Sequence, residues 1–189
     1  MLRRMTRDRY LSDAELGRFM AAVRERRHRN QPRDYALFAL LANTGIRPSE
    51  ARGLERRDVH FGPHPWIRLR RPFTRHGPDP CNELAIPPAV AAVVKAYAAP
   101  LDPTAKLFPF TKRQGARLFH YYASKAGVPE RFRIYSLRHT AGMRLWPVTR
   151  DLRLIQAIMG HARLKASAIY VHTSPADMRA ALEAIEARS

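Results

Sequence analysis

Thr44-Gly45-Ile46-Arg47-Pro48-Ser49-Glu50 closes one helix and opens another within seven residues. Upstream, Tyr35, Leu37, Phe38, Leu40 and Leu41 make Asp34–Asn43 apolar nearly all round, the pattern of a helix buried in a core. Thr44-Gly45 ends that helix, and Pro48 suits the first turn of the next. The residue before a proline is pushed out of the helical region, so Arg47 is expected in the bend between the two. Further upstream, Ser12 and Glu15 form a capping box with Leu11 and Leu16 at its flanking staple positions. Leu16, Phe19, Met20 and Val23 then recur at helical spacing and make one apolar face. Residues 1–10 are basic and aperiodic and read as a flexible lead.

Downstream of the bend the pattern changes. Val59–Phe61, Trp66–Arg70 and Glu83–Ile86 are short extended pieces broken by Gly and Pro, which predicts a small three-stranded antiparallel sheet. Helical signals return near Pro88–Ala98. Thr111 and Gln114 form a second capping box, opening a helix that stops at Gly127. Ser136 is read as the cap of Leu137–Trp146, with Pro147 breaking that helix; Asp151–Met159 ends at Gly160, and Leu164–Tyr170 reads as a short helix. After Pro175 a last amphipathic helix carries Met178, Ala181, Leu182 and Ile185 on one stripe. The class is α+β and mainly α-helical: a helical bundle with a small three-stranded sheet, forming one domain over residues 11–189, with 175–189 as a C-terminal docking helix.

Composition bounds the partner. The chain has 34 Lys+Arg against 16 Asp+Glu, a net charge of +18, and only five of the cations are lysines. A field of that sign and size attracts a polyanion, and nucleic acid is the default, because neutralising phosphates releases counterions. No apolar run approaches the roughly 20 residues that span a bilayer, and no signal-peptide core follows the basic start. One cysteine, Cys81, leaves no intrachain disulfide and fits a reducing compartment. The expected location is cytoplasmic, associated with the nucleoid.

Four polar fragments lie at the edges of the predicted elements: Thr44-Gly45-Ile46-Arg47-Pro48-Ser49-Glu50, Tyr135-Ser136-Leu137-Arg138-His139-Thr140, Met159-Gly160-His161 and Ile169-Tyr170-Val171-His172. In this order and spacing they resemble the tyrosine recombinases of the phage integrase family, whose pattern is T-G-x-R-x-x-E, H-x-L-R-H, L-G-H and then a Tyr about nine residues later. The resemblance covers about residues 11–173. It implies a catalytic domain that breaks and rejoins double-stranded DNA through a 3′-phosphotyrosyl link, without metal, cofactor or small-molecule substrate, and with self-association on DNA. It implies Tyr170 as the nucleophile and Arg47 and Arg138 as clamps on the scissile phosphate. His161 either hydrogen-bonds the phosphate or helps to deprotonate Tyr170; Glu50 orients Arg47, and His139 is a supporting residue.

The chemistry of the residues agrees. Attack on a phosphodiester builds charge on two non-bridging oxygens, which two fixed guanidiniums can hold through N–H forks. A phenol can form a covalent intermediate that conserves the energy of the broken bond for resealing. The chain departs from the family pattern in two places. Tyr135 stands where His is usual in the second block, a hydroxyl that still hydrogen-bonds phosphate but is a poor base, with a reference pKa of about 10. Where the family places a hairpin lysine as general acid, this chain has Thr74-Arg75-His76-Gly77. Arg75 is therefore assigned charge stabilisation, and His76 or a water it holds the proton for the leaving oxygen. Only ten residues precede the first predicted helix, so no N-terminal core-binding domain is expected. Two other readings are a catalytically silent DNA-binding accessory protein and a type IB topoisomerase-like nicking activity.

Overall fold

The computed structural model describes residues 5–69 and 83–171, together with Arg179 and Glu183. Arg75, His76 and Cys81 lie outside the described residues, as does nearly all of the predicted 175–189 helix. Eight α-helices are described: α1 (Asp13–Glu25), α2 (Gln31–Thr44), α3 (Pro48–Gly53), α4 (Pro88–Ala98), α5 (Lys112–Lys125), α6 (Ser136–Thr149), α7 (Leu152–Met159) and α8 (Leu164–Ser167). A 3₁₀ turn, Ala168–Tyr170, follows α8 directly. Strands β1 (Val59–His60), β2 (Trp66–Arg68) and β3 (Glu83–Ala85) form an antiparallel sheet in that order, with Ile67 opposite both Val59 and Leu84.

The core is built round α2, in which every residue from Ala36 to Ala42 is buried. Phe19 of α1, Phe38 of α2 and Phe119 and Tyr122 of α5 meet there, mostly edge to face, with Phe19 and Phe38 centroids 5.0 Å apart. A charge is buried with them. Asp34 is fully inaccessible; it accepts from Arg33 at 2.7 Å and from the Tyr122 hydroxyl at 2.8 Å, and Arg26 stands 3.6 Å away. A buried carboxylate is tolerated only when paired and hydrogen-bonded in this way. The cluster ties the end of α1 to α2 and α5.

Both capping boxes form, Ser12 with Glu15 and Thr111 with Gln114. Gly45 caps α2 with φ of 67°. A Cβ there would also stand 3.2 Å from the Ala141 Cβ and 3.3 Å from the Met159 Cε, so the turn brings α2 against α6 and α7 as closely as a glycine permits.

Two expectations are corrected. Pro147 does not break α6, which runs on to Thr149. Thr149 Oγ1 donates to the Leu145 carbonyl at 3.0 Å and Arg150 N to the Trp146 carbonyl at 3.0 Å, so the turn that follows the proline keeps its hydrogen bonds. Ser136 is the first helical residue rather than the cap; its Oγ accepts from Arg133 N at 3.1 Å, and Tyr135 takes the N-cap place. Beyond these two, the lead also differs from expectation. Over residues 5–10 it is ordered against the domain: Met5 is buried with Ile155, Met159 and Tyr170, and its N–H donates to the Ile169 carbonyl at 3.0 Å. Apolar burial of Met5 and one backbone hydrogen bond outweigh the aperiodic basic composition around it.

Candidate active site

The sharp turn at the end of α7 organises the site. Gly160 adopts the left-handed conformation, its N–H donating to the Ala157 carbonyl, and His161 N donates to the Gln156 carbonyl at 3.0 Å. The carbonyls of Met159, the last residue of α7, and of Gly160, its cap, lie at the negative end of the helix dipole. Two guanidiniums occupy them. Arg138 Nη2 donates to the Met159 carbonyl at 2.7 Å, and Arg47 Nη2 to the Gly160 carbonyl at 2.9 Å.

Arg138 projects from the first turn of α6 and is 2% exposed. Its Nη1 donates to the Gly45 carbonyl at 2.6 Å, so this one side chain joins the ends of α2 and α7. Burial lowers its pKa from the ordinary arginine range, and Arg47 pushes the same way. An arginine remains charged under such pressure, which leaves a preorganised cation in a low-dielectric site. Arg47 sits in the bend, as expected, and caps α3. Its backbone N–H donates to Glu50 Oε2 at 2.6 Å and its Nη1 to Glu50 Oε1 at 2.7 Å. Glu50 is therefore a buried orienting group, with a side chain only 6% exposed.

Tyr170 ends the 3₁₀ turn and is 1% exposed. Its ring lies over α6, against the backbone of Gly142. The phenol oxygen is 3.2 Å from His139 Nδ1. Burial pushes the phenol up to about 12, Arg138 opposing and Tyr135 reinforcing the shift, so the hydroxyl keeps its hydrogen at neutral pH. His139 is neutral for a related reason: burial pushes it down to about 4, with Arg138 and then Arg9 acting in the same direction. His161 lies on the other side of the motif set, its ring nearly parallel to that of Tyr170 with centroids 6.2 Å apart, and its Nδ1 is 2.8 Å from Ser167 Oγ. Tyr135, 43% exposed, meets the edge of His139 with centroids 5.3 Å apart.

Arg47, Glu50, Tyr135, Arg138, His139, His161 and Tyr170 are thus brought together from segments separated by more than a hundred residues. Arg75 and His76 lie outside the described residues. Sequence reasoning did not single out Gly142, Ser167 or Met5. For Gly142 a signal existed: glycine inside a helix costs about 1 kcal/mol against alanine, so its place one turn after Arg138 marked a close approach. Ser167 and Met5 carried none. Among the described residues, no group of three or more His, Cys, Asp or Glu side chains converges as a metal site would require.

Comparison with known proteins bears on the family and the fold. Residues 101–177 match the model of the phage integrase family. The tyrosine recombinase XerC of Methylobacterium sp. (strain 4-46) is 31% identical over 168 residues, covering 83% of this chain and 51% of that protein. The chain spans about half the length of the curated relatives it matches. Among solved structures, the XerH site-specific recombinase bound to its difH substrate in a pre-cleavage complex superposes with a TM-score of 0.74 at 20% identity, covering 96% of this chain and 55% of that one. The catalytic domain of bacteriophage HP1 integrase superposes with a TM-score of 0.65 at 17% identity, covering 92% of this chain and 93% of that one.

Proposed function

We propose that this chain, a tyrosine-recombinase catalytic domain belonging to the phage integrase family, breaks and rejoins double-stranded DNA with Tyr170 as its nucleophile. The observation that carries the reading is the placement of Arg47 and Arg138 on the consecutive carbonyls of Gly160 and Met159, with the Arg138 charge acting on the Tyr170 phenol. The two guanidiniums hold the non-bridging oxygens of the scissile phosphate and stabilise the charge that attack develops there. The Tyr170 oxygen attacks phosphorus and gives up its phenolic proton to a neighbouring imidazole or to water; a bond to the 3′-phosphate forms, and the bond to the 5′-oxygen breaks as that oxygen takes up a proton. A 5′-hydroxyl then attacks the phosphotyrosyl link and restores the phosphodiester and the phenol.

Tyr170 is too deeply buried to meet a phosphodiester where it rests, so the turn 168–170 swings outward when DNA binds. Tyr135 adds a hydrogen bond to the phosphate, and His161 serves either the phosphate or the phenolic proton. Arg75 stabilises the leaving 5′-oxygen, and His76 or a water it holds supplies the proton; a substrate with bridging 5′ sulfur, which leaves without an acid, separates the two roles. The net charge of +18 supplies the general affinity for DNA. The protein acts in the cytoplasm at the nucleoid, associates with further copies of itself on DNA, and recombines paired sites. Incubation with a nicked duplex that loses its short 5′ fragment on cleavage tests the reading: a covalent protein–DNA adduct on denaturing electrophoresis supports it, and its absence at saturating DNA overturns it. Strand exchange between paired sites, against relaxation of a supercoiled circle alone, separates a recombinase from a topoisomerase.

A further inference from the structure

We propose that Ser167 is a positioning residue that fixes the tautomer of His161, so that this imidazole offers an Nε2–H donor to the scissile phosphate and is not the base for Tyr170. The inference rests on the reading of the site given above and decides between the two tasks open to His161. Ser167 is the last residue of α8 and is 0% exposed. Its hydroxyl lies 2.8 Å from His161 Nδ1, the hydrogen-bond partner the structure gives it. A serine hydroxyl carries a hydrogen, and a buried site must place that hydrogen on an acceptor. Nδ1 accepts only when it is unprotonated, so the hydrogen of the neutral ring resides on Nε2. The reverse arrangement, with Nδ1–H donating to Oγ, would strand the hydroxyl hydrogen in the interior.

The phenol of Tyr170 follows the same rule with a different ring. It is 1% exposed, and its hydroxyl faces His139 Nδ1 at 3.2 Å. The two imidazoles therefore have separate partners: one accepts from the nucleophile and the other from Ser167. An Nε2–H on His161 can donate to a non-bridging phosphate oxygen but has no lone pair for the phenolic proton. Ser167 acts through His161 and touches neither the nucleophile's oxygen nor the phosphate.

The test reads the tautomer directly. The full chain is labelled with ¹⁵N-histidine, and long-range ¹H–¹⁵N spectra are assigned with a His161→Gln variant. The wild-type His161 is expected as the Nε2–H tautomer, retained in Ser167→Thr and replaced by a mixture or by Nδ1–H in Ser167→Ala. In the adduct assay, Ser167→Ala is expected to slow cleavage roughly tenfold, the scale of one neutral hydrogen bond, with Ser167→Thr restoring the rate. In the His161→Gln background Ser167→Ala should cause no further loss. An Nδ1–H wild-type ring overturns the proposal, even if the alanine variant does not fold. So does an unchanged Nε2–H ring in Ser167→Ala. If the wild-type protein forms no adduct on DNA, the reading of the site fails, while the spectrum still decides the tautomer.

Discussion

The ring of Tyr170 occupies the space that a side chain at residue 142 would fill: a Cβ built on Gly142 would stand 2.5 Å from the Tyr170 Cζ and 2.7 Å from both Cε atoms. The neighbouring helix thus makes room for the nucleophile by omitting a side chain. Gly142→Ala should destabilise the protein by about 1–3 kcal/mol, the usual cost of overpacking a filled site, despite the better helix propensity of alanine. Denaturant unfolding measures this. In a Tyr170→Ala background the same substitution should become neutral or stabilising, and an equal penalty in both backgrounds would show that the ring is not what alanine displaces.

Tyr170→Phe removes one oxygen and keeps the ring. The covalent adduct should vanish while affinity for duplex DNA stays within about twofold, because the phosphate contacts that dominate binding are untouched. Gel electrophoresis under denaturing and native conditions reads the two quantities side by side. Adduct at wild-type yield would remove Tyr170 from its role.

Arg47 and Arg138 should differ in stability although both serve cleavage. Either alanine variant is expected to reduce the cleavage rate by ~10²–10³, the range for a preorganised charge-stabilising group. Arg138→Ala also leaves the Gly45 and Met159 carbonyls without their donor and empties a buried volume, and should cost about 2–5 kcal/mol of folding stability. The Arg47 side chain is 35% exposed. Arg47→Ala should therefore cost about 1 kcal/mol, the scale of a single cap or partly exposed pair. Equal thermal shifts for the two would contradict the tie made by Arg138.

His139 gives stability a pH dependence of defined sign. Its folded-state pKa is pushed down to about 4 from an ordinary 6.5. Between those values the unfolded chain holds a proton that the native protein does not, so stability falls as pH drops from about 6.5 and levels off below about 4. His139→Gln should flatten that part of the stability-against-pH curve; an unchanged slope would assign it to other groups.

DNA binding should weaken steeply with salt, log K falling by about 0.9 for each phosphate neutralised. Titrations between low and physiological ionic strength give the slope. A flat response would mean that the charge of +18 is not what holds the duplex.

Much of this protein was fixed locally by its sequence. The capping boxes at Ser12 and Thr111, the stop at Gly45, the bend at Arg47 and the Pro88–Ala98 helix follow from signals that act within a few residues, and the four motif blocks name seven residues that the fold brings together. Tertiary structure decided what those residues touch. Arg138 is held by Gly45 and Met159, 93 and 21 residues away, through backbone carbonyls that every residue type carries, so no pattern of side chains could announce the pairing. The Asp34 cluster, the bond from Met5 to Ile169 and the Ser167 hydroxyl on His161 have the same origin. Each depends on a partner that becomes a neighbour only once the core has closed, where the loss of water makes an unmet hydrogen bond costly and so selects the pairs that form.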